Sequence, residues 1–186
     1  MIRQLTTFTK NIWGLYLDEG MQVLDATLGN GEDAVFLCEK IGKSGFLEGI
    51  DIQDDAVNQS RIKLEEKSFE NFQLRIGNHK YIDQLYEGQY FDLIVYNLGY
   101  LPKSNKVCTT LLDSTAESIQ KALQLIKVGG ILSITTYRGH DEGVKEYQWL
   151  MSYTQQLDTK AYHVMKFEYL NQGVQTPSVI LIERKK

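Results

Sequence analysis

The chain has 186 residues, 42% hydrophobic and 24% charged, with a formal net charge of −4 and a pI near 5.4. That length and mixture point to one globular domain with a sizeable core. The acidic balance excludes a broadly basic surface, so any contact with nucleic acid has to come from a local patch. No apolar run approaches membrane-spanning length and there is no signal-peptide pattern. Cys38 and Cys108 offer neither metal-ligand spacing nor a disulfide framework, so the expectation is a protein of the reducing cytoplasm with no membrane partner.

Taken in chain order, Leu5, Phe8, Ile12, Leu15 and Tyr16 recur near helical spacing and predict a helix over Leu5–Leu17 beside a ligand pocket. Met21 to Asp33, MQVLDATLGNGED, then organises the rest. An apolar strand with Val23 and Leu24 runs into Asp25, turns through small residues and enters a segment of helical period. Gly29 and Gly31 let backbone approach a ligand closely, because no Cβ intervenes and positive φ is allowed. Gly29 to Ala34 also fits the dinucleotide pattern GxGxxG/A. Asp25, Glu32 and Asp33 surround the turn, however, and carboxylates so close repel a pyrophosphate. A cationic ligand without phosphates suits the loop better, and S-adenosylmethionine is one. Candidate cofactor residues here are Asp25, Thr27, Gly29, Asn30, Gly31, Glu32 and Asp33.

Ala34, Leu37, Cys38 and Ile41 form a helical stripe stopped at Gly42. A second strand (Phe46, Leu47, Ile50, Ile52) carries Asp51 and Gln53 near its end, where nucleoside-binding folds place the carboxylate that grips ribose hydroxyls. Asp54–Glu66 reads as a charged amphipathic helix with Ala56, Val57, Ser60 and Leu64 inward, and Phe72, Leu74 and Ile76 alternate as a third strand. At its end, Asn78 and His79 suit an adenine edge, or a helix cap in the alternative reading.

Phe91–Asn97 is almost continuously apolar, as expected of a central strand buried on both faces. Asn97 and Tyr100 follow, in NLGYLP, at the expected reaction point: an amide to orient an attacking amine and a ring to stack on a base, or, in the plainer reading, a loop cap and core filler. Ser114–Ile126 predicts a helix closed by Gly129-Gly130, then a strand over Ile131–Thr136. Tyr137, Arg138 and His140 lie on the next loop, with Lys103 on the preceding one. Tyr137, Arg138 and Lys103 are candidate substrate contacts and His140 a candidate proton acceptor. A helix over Gly143–Leu157 and strands over Tyr162–Leu170 and Val179–Glu183 complete the chain. Because no helix separates the last two strands, they form an antiparallel hairpin on an otherwise mostly parallel, doubly wound α/β sheet.

DATLGNGED, GIDIQ, Asn78-His79, NLGYLP, Thr109-Thr110 with Ser114-Thr115, YRGHDEG with Glu146, and the late Asn171-Gln172 with Pro177-Ser178 together resemble the bacterial rRNA methylase family, now associated with methylating the 5-aminomethyl group of wobble uridine in tRNA. The resemblance spans nearly the whole chain. It implies a class I methyltransferase Rossmann-like fold, S-adenosylmethionine as donor, a tRNA anticodon stem-loop as partner and a homodimer. It also implies cofactor contacts at Asn30, Glu32, Asp33, Asp51, Gln53, Asn78 and His79, with Asn97 and Tyr100 toward the acceptor. Lys103-Ser104 and Arg138 depart from the family pattern. A methyltransferase acting on rRNA or a small molecule, a nicotinamide-dependent oxidoreductase using the same glycines, and a catalytically silent RNA-binding protein are the alternatives.

Overall fold

The computed structural model describes residues 4–99, 111–173 and 175–186. Helices are α1 (Leu5–Tyr16), α2 (Glu32–Ile41), α3 (Asp54–Glu66), α4 (Ile82–Leu85), α5 (Leu112–Leu125) and α6 (Asp141–Gln155), with a 3-10 turn at His79–Tyr81. Strands are β1 (Gln22–Asp25), β2 (Phe46–Asp51), β3 (Phe72–Ile76), β4 (Phe91–Leu98), β5 (Ile126–Thr136), β6 (Tyr162–Phe167) and β7 (Ser178–Arg184).

The strands make one sheet in the order β3-β2-β1-β4-β5-β7-β6. The first five are parallel; β7 runs antiparallel to β5, and β6 antiparallel to β7. Strand order reverses between β1 and β4, so the carboxyl ends of these strands open the crevice where α/β sheets hold ligands.

Side-chain alternation builds a core on each face. Leu24, Ile94 and Tyr96 pack with α5 and α6 on one side, while their neighbours Val23, Leu93 and Val95 pack with α2 and α3 on the other. Both faces are covered, which is why the central strands are nearly uniformly apolar. Helix α2 buries Ala34, Leu37, Cys38 and Ile41, and α3 buries Ala56, Val57, Ser60 and Leu64, the stripes expected from their spacing.

Two element boundaries and one buried helix face depart most from expectation. Gly129-Gly130 does not close α5, which ends at Leu125; β5 starts at Ile126 and absorbs the glycines as a register shift between Phe91↔Ile126 and Leu93↔Ile131. The β-branched residues Ile126 and Val128 favour extended chain before the irregularity. Strand β6 stops at Phe167, and Leu170 beyond it is 95% exposed. In α1 the buried positions are Leu5, Thr9 and Trp13, and Leu15 stands in solvent. Trp13 anchors this face, its indole N–H donating to Ser133 Oγ on β5 at 3.0 Å in a buried bond.

Candidate active site

A cavity of about 980 Å³ opens at the carboxyl ends of the parallel strands. Of the residues singled out in the sequence, Thr27, Gly29, Asn30, Glu32, Asp33, Asp51, Gln53, Asn78, His79, Asn97, Tyr137 and His140 line it. Asp25, Gly31 and Arg138 do not, and Tyr100 and Lys103 fall outside the described residues. Helix α1, expected beside the pocket, closes one wall with Thr6, Lys10 and Trp13.

The loop after β1 is tied to β2 through Asp51. Its Oδ2 accepts the Gly29 N–H at 2.9 Å and its Oδ1 the Gln53 N–H at 3.0 Å. Each carboxylate oxygen has a second lone pair, so Asp51 holds two loops in place and can still accept from a vicinal diol. Ile52, next in sequence, lines the cavity with 56% of its surface exposed and provides an apolar seat for a flat ring. Gly31 has a different task from the cradle expected of it. It precedes α2 with φ of +78°, and a Cβ there would lie 2.8 Å from Ser60 Cα, so it is the point where α2 and α3 approach.

Asp25 is fully buried behind this loop. Its Oδ1 accepts the Thr27 N–H at 3.1 Å, while Oδ2 has no hydrogen-bond partner among the described residues. Burial first, and the neighbouring carboxylates of Asp33 and Asp51 after it, push its carboxyl well above the usual range. The cavity itself is lined by the carboxylates of Glu32, Asp33 and Asp51, a setting that suits a sulphonium donor bearing an α-ammonium better than a pyrophosphate.

At the end of β4, Asn97 is fixed at two points. Its backbone N–H donates to Thr27 Oγ1 at 2.7 Å, and its side-chain Nδ2 donates to Asp33 Oδ2, also at 2.7 Å. Asp33 Oδ1 in turn meets Lys10 Nζ at 2.8 Å, and Lys10 also donates to the Glu32 carbonyl at 2.9 Å. A carboxylate only accepts, so the amide must present its nitrogen to Asp33 and keep its carbonyl oxygen for the cavity.

Asn78 and His79 form the opposite wall. The Asn78 side chain accepts the Lys80 N–H at 2.9 Å and starts the 3-10 turn. His79 is held down to a pKa of about 4 by burial, so its ring is neutral at physiological pH, and its Nδ1 is buried with no hydrogen-bond partner among the described residues. The turn hangs on a short relay: Ser118 Oγ donates to the His79 carbonyl at 2.8 Å, which leaves the Tyr96 hydroxyl, 2.6 Å from Ser118 Oγ, as the donor to serine. Tyr96→Phe removes that donor without opening a void. It is expected to destabilise by about 1 kcal/mol, seen as a lower urea midpoint at unchanged slope, and an unmoved midpoint would show that the relay contributes nothing.

Two residues of the loop after β5 serve the scaffold. Arg138 was expected at the substrate. Instead its Nη2 donates to the Thr176 carbonyl at 3.1 Å and to Ser178 Oγ at 3.0 Å, and its guanidinium stacks 4.4 Å from the centre of the Tyr147 ring. His140 lines the cavity but is the N-cap of α6, its Nδ1 accepting the Gly143 N–H at 3.0 Å. The unprotonated nitrogen is thus already engaged, and taking a proton there would break the cap. Tyr137 remains a cavity residue, its phenol pushed up to about 12 by burial and by Asp33. Behind them Thr115 Oγ1 donates to the buried Glu146 at 2.5 Å, joining two motif segments far apart in sequence.

Strand order, the acid-backed loop and the Asp51 and Asn97 strand ends define a class I, S-adenosylmethionine-dependent methyltransferase. The chain belongs to the family described as "Putative rRNA methylase", whose pattern matches residues 47–183. It is 28% identical over 193 residues to the "tRNA (mnm(5)s(2)U34)-methyltransferase, chloroplastic" of Arabidopsis thaliana, covering 98% of this chain and 70% of that protein. Among solved structures, a Clostridium thermocellum rRNA-methylase-type chain superposes with a TM-score of 0.94 at 29% identity, over 99% of both chains. A Streptococcus mutans chain crystallised in complex with SAH gives a TM-score of 0.87 at 31% identity, again over 99% of both.

Proposed function

We propose that this chain methylates the exocyclic amine of 5-aminomethyl(-2-thio)uridine at the wobble position of tRNA, giving the 5-methylaminomethyl nucleoside. The observation that carries the reading is the Asn97 amide, held at 2.7 Å by Asp33 with its carbonyl oxygen left for a donor in the cavity. A primary amine is such a donor. The similarity to the Arabidopsis protein supports a modified wobble uridine as its carrier.

The cofactor supplies an activated methyl group on a sulphonium. Asp51 and the Gly29 loop would hold the nucleoside half of the donor, and the carboxylates of Glu32 and Asp33 on the cavity wall would favour its cationic end. Asn97 accepts one N–H of the acceptor amine and thereby aims the nitrogen lone pair at the methyl carbon. As the N–C bond forms, the C–S bond breaks and its electron pair returns to sulphur, so positive charge passes to nitrogen and no oxyanion develops. Alignment and exclusion of water are therefore the chief contributions of these residues. An alkylammonium has no lone pair, so the amine enters the reaction deprotonated and the product ammonium sheds its proton afterwards.

Several basic side chains around the cavity are already engaged within the protein. Lys10 pairs with Asp33, Lys145 with Glu142 at 2.6 Å, and Arg138 is committed to the C-terminal segment. Lys103 and Lys106 lie outside the described residues. The deciding experiment incubates the protein and labelled donor with tRNA from cells lacking it and analyses the nucleosides by mass spectrometry. Conversion of aminomethyl to methylaminomethyl uridine is the expected result. Methyl incorporation into rRNA alone, or none anywhere with NADH bound in place of the methyl donor, would overturn the proposal.

A further inference from the structure

The sequence reading counts Asp33 among the cofactor ligands, and the structure gives each of its carboxylate oxygens a partner within the protein. Oδ1 takes Lys10 Nζ at 2.8 Å and Oδ2 takes Asn97 Nδ2 at 2.7 Å. The pair is mostly shielded, with 25% of the Lys10 side chain and 19% of the Asp33 side chain exposed. Asp33 is also one of the charges acting on the Tyr137 phenol, which places it toward the loop after β5.

We propose that Asp33 is a positioning residue for methyl transfer: anchored by Lys10, it locks the Asn97 amide in the one orientation that turns the carbonyl oxygen to the attacking amine. The inference rests on the methyl-transfer reading above. An amide is symmetric in shape and rotates easily between two orientations that differ only in which end accepts. Asn97 in the flipped state would set its oxygen against the Asp33 carboxylate and offer N–H groups to the amine, which repel rather than orient a nucleophile's protons. Its backbone bond to Thr27 fixes where the side chain starts; among the described residues, Asp33 is the side-chain partner that sets which end points inward. Lys10 holds Asp33 by two routes, the ion pair and its bond to the Glu32 carbonyl, so the carboxylate stays on station although it sits in the first turn of α2. Three elements distant in sequence, α1, α2 and β4, are thus coupled for one side-chain orientation.

Because Asp33 acts on geometry and not on donor affinity, its loss should divide kcat from binding. With saturating labelled donor and aminomethyl-uridine tRNA, Asp33→Leu is expected to lower kcat about 100-fold, and Asp33→Asn, whose amide oxygen still accepts from Asn97, about tenfold. Lys10→Met should fall between Asp33→Asn and the unsubstituted protein. The dissociation constant for the donor and the KM for tRNA should stay within about threefold, as expected when only a transition-state interaction is lost. An unchanged kcat overturns the proposal, as does a parallel loss of kcat and donor affinity, which would mean that Asp33 merely shapes the loop. A second readout needs no turnover. The side-chain amide protons of Asn97, assigned in the nitrogen-15 spectrum by comparison with Asn97→Asp, should exchange slowly in the unsubstituted protein and rapidly in Asp33→Leu. If the unsubstituted protein transfers no methyl to this tRNA, the substrate reading fails; if the Asn97 amide is indifferent to Asp33→Leu, the positioning proposal fails.

Discussion

Asp51→Ala is expected to weaken S-adenosylmethionine binding by at least about a hundredfold, about 2.7 kcal/mol, as measured by calorimetry. The size of the effect comes from two losses at once. A carboxylate accepting from the ribose hydroxyls makes charge-assisted bonds, each worth about 1.5–3 kcal/mol when a partner is removed. The same side chain receives the Gly29 and Gln53 N–H groups, at 2.9 and 3.0 Å, so its removal also lets both loops drift from the geometry that meets the ligand. Asp51→Asn keeps one acceptor oxygen and should fall between. Strand β2 is held by its parallel pairing to β1 and β3, so circular dichroism should show the fold intact. Donor affinity that survives Asp51→Ala unchanged would remove Asp51 from the site and with it the assignment of this wall of the cavity to the nucleoside.

The parts of this site that were legible in the sequence are those whose signal is local. A strand ending in Asp25, a glycine turn and a helical stripe occupy consecutive residues, and the strand ending in Asp51 announces itself in the same way. Asn97 could be placed because an apolar run long enough to be central stops there. Roles that depend on partners far along the chain were not legible. Lys10 reaches Asp33 from the first helix, Trp13 meets Ser133 across 120 positions, and Arg138 is drawn from the acceptor loop by Ser178, 40 positions on. His140 shows how one residue type misleads: an imidazole on a ligand-edge loop reads as a base, yet the acidic pair Asp141-Glu142 right behind it marks a helix start, and the structure uses the ring as the cap. The His79–Tyr81 turn and α4 escaped because three or four residues are too few to show a period.

Gly31 carries the second large expectation, and it concerns stability ahead of ligand binding. Gly31→Ala should destabilise the protein by about 2–4 kcal/mol, combining the cost of a Cβ at positive φ with that of forcing two packed elements apart. At φ of +78° the new Cβ would stand 2.8 Å from both Cα and Oγ of Ser60, a buried residue of α3, and backbone cannot swing aside as a long side chain would. Since a domain of this size keeps only about 5–15 kcal/mol of net stability, a loss of that order is a large fraction of the whole. Gly139→Ala is the matched control: it too lies on a cavity loop, but a Cβ there meets none of the described residues within 4 Å. Urea titration should therefore separate the two, with Gly139→Ala close to the unsubstituted protein and Gly31→Ala well below it. Donor affinity of the folded fraction of Gly31→Ala should fall far less than that of Asp51→Ala, because Gly31 does not line the cavity. Equal midpoints for the two glycine variants would mean that α2 and α3 can separate freely, and a selective loss of donor binding in Gly31→Ala would return this glycine to the ligand cradle that its place in the sequence first implied.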